Sequence, residues 1–133
     1  MQKIEHFGIA VKNLNNSIPL FEALLDSKCY KTESVESENV NTAFFQSENT
    51  KIELLESSDE NGVIAKFITQ KGEGLHHIAF DVADIKEEMK RLVKEGFVLV
   101  NEEPKKGADN KLIFFLHPKS TNGVLIELCQ EIK

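Results

Sequence analysis

The 133-residue sequence predicts an α+β fold built from two similar βαβββ modules. The first observation is an internal repeat, because His6 to Val11 resembles His77 to Val82 at an offset of 71 residues. The second is that Glu53 in "KIELL" matches Glu127 in "LIELC" at an offset of 74 residues. The third is that a helical pattern follows the first strand of each copy. Each half therefore begins with a histidine-containing strand and ends with a glutamate-containing strand.

Local patterns predict the first elements of each half. Ile4 to Val11 and Leu75 to Val82 are short apolar runs rich in branched and aromatic residues, which is typical of buried strands. The helix of the second half begins with the capping-box pair Asp84 and Glu87 and ends at Gly96. A helix directly after a buried strand is what a βαβββ module requires.

The other elements follow from the same signals. The helix of the first half covers Asn16 to Leu25, where Pro19 must lie in the first turns to be tolerated. Between the halves, Asp59 to Lys71 reads as a short helix and Gly72-Glu73-Gly74 ends it. Further strands are predicted at Thr42 to Gln46, Thr50 to Leu55, Phe97 to Val100, Leu112 to Leu116 and Val124 to Cys129. We expect a single domain of residues 1–133, with module 1 at about 1–56, the linker at about 57–74 and module 2 at about 75–133.

Composition and charge limit the class of protein. Hydrophobic residues make up 41% and charged residues 29% of the chain, which is typical of a folded globular domain. A net charge of -6 argues against a nucleic-acid partner, because such proteins need a basic surface. No run of 18 apolar residues and no secretory signal is present, so we expect no membrane association and a cytoplasmic location. Cys29 and Cys129 form no disulfide framework, so we expect reduced thiols.

The two-residue period of a strand places the repeated histidines and glutamates on matching faces. In each opening strand the histidine shares its face with small residues, and the larger apolar residues occupy the other face. If the two sheets curve toward each other, four polar side chains converge in one cavity. Two neutral imidazoles and two carboxylates are a suitable ligand set for one divalent transition metal. The sequence therefore predicts an incomplete barrel around a metal site whose ligands are His6, Glu53, His77 and Glu127.

Each of these residues alone has a simpler interpretation. A single histidine in a strand is more often structural, and a glutamate in a strand more often lies on an exposed face. Their recurrence at equivalent positions of a repeat favours the metal site. His76 competes with His77, but its register places it with Ile78 and Phe80, and Glu5 occupies the equivalent position of the first half.

Several segments of the chain carry a family resemblance. They are "HFGIAVKNL", "KIELLE", "KGEGLHHIAF", "EEPKKGADNK" and, most specifically, "FFLHPKSTNGVLIEL". By these segments the chain resembles the vicinal oxygen chelate superfamily and, within it, the methylmalonyl-CoA epimerases over nearly its whole length. The resemblance implies an isomerase of propionate metabolism that interconverts (2R)- and (2S)-methylmalonyl-CoA. It also implies an acyl-CoA substrate, a homodimer and a divalent metal cation, with cobalt favoured over manganese, nickel, zinc or iron.

The implied reaction suits the predicted site. The substrate α-hydrogen lies between a thioester and a carboxylate, and its loss leaves an enolate whose charge a metal would stabilise. Glu127 is the first candidate for the catalytic base, because a carboxylate ligand with a free oxygen can reach the substrate. Some epimerases carry a glutamate where this chain has Thr42, which is not an efficient base. The second acid therefore stays open between Glu53 and a metal-bound water.

The loop His117 to Ser120 is a further candidate for substrate binding. The resemblance implies substrate contacts through Lys119 and Ser120, whereas Pro118 on its own would suit a simple turn.

Other functions within the same superfamily stay open at this point. A non-haem iron dioxygenase would need only His6, His77 and Glu127. A glyoxalase-type isomerase would act on a glutathione adduct, and a resistance-type binding protein would sequester a ligand without chemistry. Glu53 as a fourth ligand argues against the dioxygenase, and the C-terminal segment argues against the glyoxalase.

Overall fold

The computed structural model describes residues 3–133. Its eight strands and three helices are β1 (Lys3–Ala10), α1 (Leu14–Leu25), β2 (Lys31–Val35), β3 (Val40–Ser47), β4 (Thr50–Ser57), α2 (Val63–Lys71), β5 (Gly74–Asp81), α3 (Ile85–Lys94), β6 (Lys105–Lys106), β7 (Lys111–Leu116) and β8 (Ile126–Glu131). Single turns of 3-10 helix lie at Glu36–Glu38 and Pro118–Ser120. Within residues 3–133, every helix is too short or too polar to cross a membrane.

The chain divides into two compact units. The first unit is His6–His76, and the second unit consists of residues 3–5 together with His77–Lys133. The strands of the first unit are ordered β2-β3-β4-β1, with β1 parallel to β4 and the other pairs antiparallel. Those of the second unit are ordered β5-β8-β7-β6, with β5 parallel to β8. Both units share one topology, which confirms the predicted α+β class with two βαβββ modules.

One face of each sheet packs against the helix of its unit. In the first unit, α1 covers a buried cluster to which Ala43, Phe45 and Leu54 contribute. In the second unit, α3 covers an equivalent cluster that includes Phe114 and Leu128. Burial of these apolar side chains is the main force that fixes each helix on its sheet. The other face of each sheet is thereby left to the polar residues of the repeat.

Matching N-caps start the two main helices. The side chain of Asn13 accepts a hydrogen bond from the amide of Asn16, and that of Asp84 accepts one from the amide of Glu87. The helix α1 therefore begins at Leu14, two residues before the predicted start. A side-chain oxygen in this position satisfies an amide that the helix itself leaves unpaired.

A second contact joins each of these helices to the last strand of its unit. The amide of Leu14 donates to Glu56 at 2.9 Å, and the amide of Ile85 donates to Gln130 at 2.7 Å. Each accepting side chain stands three residues after the repeated glutamate of its strand. The duplication therefore includes the contacts that align helix and strand.

Some elements differ from the prediction. β2 was not predicted, because its polar sequence "KTESV" has no apolar face. The predicted strand Phe97 to Val100 is wrong, since only Leu99 forms an isolated bridge, to Leu116. Val98 and Val100 are 40% and 56% exposed, whereas Phe97 and Leu99 pack against the cluster under α3. The segment therefore alternates in burial like a strand without forming one. The short strand β6 pairs with β7 instead.

Candidate metal centre

In the first unit, His6 and Glu53 form a buried pair. The parallel register of β1 and β4 places Gly8 beside Glu53, so His6, two residues earlier, lies on the same face of the sheet. Nδ1 of His6 is 3.2 Å from Oε2 of Glu53, and the two side chains are 6% and 5% exposed. The helix α1 packs on the opposite face of this sheet.

In the second unit, His77 and Glu127 repeat this arrangement. The parallel register of β5 and β8 places Ala79 beside Glu127, and His77 again precedes it by two residues on the same face. Nε2 of His77 is 3.1 Å from Oε1 of Glu127. The ring of Phe115, directly across from Glu127 on β7, meets the His77 ring edge-on at 5.9 Å. Each unit therefore aligns one imidazole with one carboxylate.

The spacing within each pair fits two ligands of one metal ion. With metal–nitrogen and metal–oxygen bonds of about 2.1 Å, neighbouring ligand atoms lie roughly 3.0–3.5 Å apart. Both measured distances fall in this interval. A carboxylate buried this deeply is costly unless it is paired or bound to a cation. The donor set of buried histidine and glutamate is therefore consistent with a divalent metal site.

His76, the competing histidine, has a different environment. Its ring lies edge-on to Phe67 of α2, with centroids 4.9 Å apart. It is only partly buried, whereas His77 is buried. The strand thus directs its two consecutive histidines to different neighbours, as the register argument requires.

A buried ion pair in the second unit was not anticipated from the sequence. Oε2 of Glu5 lies 3.9 Å from Nζ of Lys111. The side chains of Glu5 and Lys111 are only 5% and 12% exposed. The available signal was the presence of two consecutive polar residues, Glu5 and His6, between the apolar residues Ile4 and Phe7 of the strand. The partner could not be inferred, because Lys111 is distant in sequence.

Cys129 lies two residues after Glu127 and therefore on the same face of β8. Both cysteines of the chain are free thiols, and Cys129 is fully buried. Burial, and to a lesser degree the charge of Glu127, raises the pKa of the Cys129 thiol. The raised pKa favours the protonated thiol.

The loop after β7 is ordered by its own side chains. The hydroxyl of Ser120 donates to the carbonyl of His117 at 2.9 Å and accepts from the amide of Val98 at 3.3 Å. The side chain of Lys119 is exposed, and its amide donates to Nδ1 of His117. Contacts of Lys119 and Ser120 with a substrate remain a prediction.

This loop is also where the two halves differ in length. Phe44 stands across from Glu53, and Phe115 stands across from Glu127. The two phenylalanines are offset by 71 residues, like the histidines, whereas the glutamates are offset by 74. The three additional residues of the second half therefore lie between β7 and β8, in the segment that contains Lys119.

Comparison with known proteins identifies the family of this chain. The model of the glyoxalase/bleomycin resistance protein/dioxygenase superfamily matches residues 5–115. The chain belongs to this superfamily. Its members are also known as the vicinal oxygen chelate proteins, so the predicted superfamily is confirmed.

Individual members of the superfamily resemble the chain over most of its length. A mitochondrial methylmalonyl-CoA epimerase from Dictyostelium discoideum is 38% identical over 95% of this chain and 76% of its own length. The crystal structure of a hypothetical protein, BH1468 from Bacillus halodurans C-125, matches with a TM-score of 0.95 at 40% identity, covering 98% of this chain and 95% of that one.

A ligand-bound relative matches almost as well. A single-residue variant of the Streptomyces coelicolor methylmalonyl-CoA epimerase, in complex with 2-nitronate-propionyl-CoA, has a TM-score of 0.93 at 31% identity over 100% of this chain and 99% of its own. The superfamily relatives of this chain thus include enzymes that bind acyl-CoA ligands.

Proposed function

We propose that this chain is a metal-dependent epimerase that interconverts (2R)- and (2S)-methylmalonyl-CoA. The observation that carries the proposal is the duplicated, buried His–Glu pair in a superfamily member whose relatives include a methylmalonyl-CoA epimerase at 38% identity. We further propose that His6, Glu53, His77 and Glu127 hold one divalent cation within a single domain. Cobalt is the first choice, and manganese, nickel, zinc or iron are the alternatives.

The proposed mechanism assigns the proton transfers to the two glutamates. The bound cation would act as a Lewis acid that stabilises negative charge on the thioester and carboxylate oxygens of the substrate. The carboxylate of Glu127, whose Oε1 lies 3.1 Å from Nε2 of His77, removes the α-proton. Glu53, at the equivalent position of the first unit, delivers a proton to the opposite face of the α-carbon. Their burial keeps solvent from competing for the proton.

The loop between β7 and β8, which has three more residues than its counterpart in the first unit, is the proposed substrate-binding segment. An exposed cation on Lys119 is suited to the carboxylate or the phosphates of an acyl-CoA in a protein whose net charge is -6. Ser120, whose hydroxyl holds the turn, positions this loop. A homodimer and a cytoplasmic location complete the proposal, and both are open to sedimentation and cell fractionation.

One experiment tests the reaction directly. Metal-free protein is loaded with Co²⁺ and incubated with one epimer of methylmalonyl-CoA in D₂O. We expect the other epimer to appear together with deuterium at the α-carbon, without oxygen consumption. Loaded protein that leaves both the epimer and the α-proton unchanged would contradict the proposal. Oxygen uptake with a catechol would assign the site to a dioxygenase instead.

A further inference from the structure

Thr42, on β3, carries a buried hydroxyl group that is not used by the rest of the fold. The residue is 0% exposed, and its hydroxyl oxygen has no hydrogen-bond partner among residues 3–133. A buried hydroxyl without a partner disfavours folding, because water would otherwise hydrogen-bond to it. Such a group in a native protein therefore calls for an explanation.

The strand register places this hydroxyl on the face that carries the His6–Glu53 pair. Across the β3–β4 pairing, Phe44 stands opposite Glu53 and Thr42 stands opposite Leu55. Thr42 is therefore one alternate position, or about 7 Å, along the same face from Glu53. Ala43, the next residue, points to the other face, where it joins the cluster under α1.

The neighbours of Thr42 on this face do not hydrogen-bond to its hydroxyl group. Its neighbours along the same face of β3 are Val40 and Phe44, both apolar and buried. Glu33 stands across from Thr42 on β2, but the hydroxyl makes no bond to it, and the Glu33 carboxylate lies 3.6 Å from the ammonium group of Lys31. The hydroxyl of Thr42 is thus shielded from water and without a hydrogen-bond partner among the described residues.

We propose that the Thr42 hydroxyl donates a hydrogen bond to the carboxylate of the acyl-CoA bound at this site. The inference rests on the proposed function and adds a substrate contact to it. A hydroxyl–carboxylate hydrogen bond is charge-assisted, and it strengthens where water is excluded. A threonine hydroxyl is too weakly basic to take up the α-proton at neutral pH. Thr42 therefore binds and orients the substrate, and the proton transfers are left to the glutamates.

The test compares Thr42→Val, which keeps the shape and removes the hydroxyl, with Thr42→Ser, which keeps the hydroxyl. Thr32→Val, at an exposed position of β2, is the matched control for the threonine-to-valine change. Affinities of the metal-loaded proteins are measured by calorimetry for methylmalonyl-CoA and for propionyl-CoA, which lacks the carboxylate. Thermal unfolding is recorded without ligand.

We expect Thr42→Val to bind methylmalonyl-CoA about tenfold more weakly and propionyl-CoA unchanged, since only the former offers the carboxylate. The same variant should unfold about 2–6 °C higher than the parent, because the unpaired hydroxyl is gone. Thr42→Ser should stay within about twofold of the parent in affinity, and Thr32→Val should leave binding unchanged.

Two results would overturn the inference. One is unchanged methylmalonyl-CoA affinity in Thr42→Val. The other is a lower unfolding temperature of that variant, which would reveal a structural partner of the hydroxyl. A parent protein that binds methylmalonyl-CoA through Thr42 but exchanges no α-proton would refute the epimerase proposal and leave the contact standing, so the two failures are distinguishable.

Discussion

His77 and Glu127 are distant in sequence, yet the side chains meet at 3.1 Å on adjacent parallel strands. The pair is buried, and the other unit repeats it with His6 and Glu53 at 3.2 Å. Contacts of this kind, in which sequence-distant residues are held by strand register, make substitutions at single positions informative.

The first prediction concerns metal binding. Replacing His77 by alanine removes a proposed ligand, and we expect metal affinity to fall by about 100-fold or more, since even a lost partner of a metal ligand costs up to that factor. His76→Ala is the matched control, because the ring of His76 packs on Phe67. Metal content after dialysis and competition with a chromogenic chelator measure both variants. Equal metal affinity in the two proteins would exclude His77 as a ligand.

The second prediction concerns proton transfer. Glu127→Gln keeps the shape of the side chain and removes its basicity, so α-proton exchange should slow by about 10²–10⁴-fold. Glu131→Gln, at the exposed end of the same strand, should retain full exchange. Deuterium incorporation into methylmalonyl-CoA is followed by NMR, with metal content measured in parallel. Full exchange in Glu127→Gln would remove this residue as the base.

The third prediction concerns the loop between β7 and β8. Lys119→Ala should raise KM for methylmalonyl-CoA about three- to tenfold and leave kcat nearly unchanged, because an exposed cation contributes modestly to binding. Lys94→Ala, an exposed position at the end of α3, removes the same charge elsewhere. If both variants shift KM equally, net charge explains the effect and Lys119 makes no specific contact.

The fourth prediction concerns stability. Lys111→Met removes the ammonium group beside the buried carboxylate of Glu5 and should lower the free energy of unfolding by about 3 kcal/mol. Adding Glu5→Leu should recover much of that loss, because an apolar pair avoids the buried charge. Lys90→Met breaks the exposed pair with Glu87 and should cost less than about 0.5 kcal/mol. Urea unfolding of the metal-free proteins measures all three, and equal losses for Lys111→Met and Lys90→Met would contradict the expectation.

The sequence predicted the features that repeat and missed those that depend on a partner. The matched offsets and the period of two residues were enough to place the repeated histidine and glutamate of each half on one face of the sheet. The strand β2 was missed because its sequence has no apolar pattern. Backbone pairing with β3 holds it in the sheet. The apolar run from Phe97 to Val100 misled for a different reason, because its side chains alternate between core and solvent as in a strand, although only Leu99 forms a bridge. Nothing local in the sequence could join Glu5 to Lys111.

The contacts of Glu56 and Gln130 with the first amides of α1 and α3 also bear on how such a molecule arises. Each copy carries within itself the bonds that set its own helix and its own acidic strand in line. A tandem duplication of one ancestral segment would therefore deliver two ready-made histidine–glutamate pairs, and later divergence could be confined to the connecting loops.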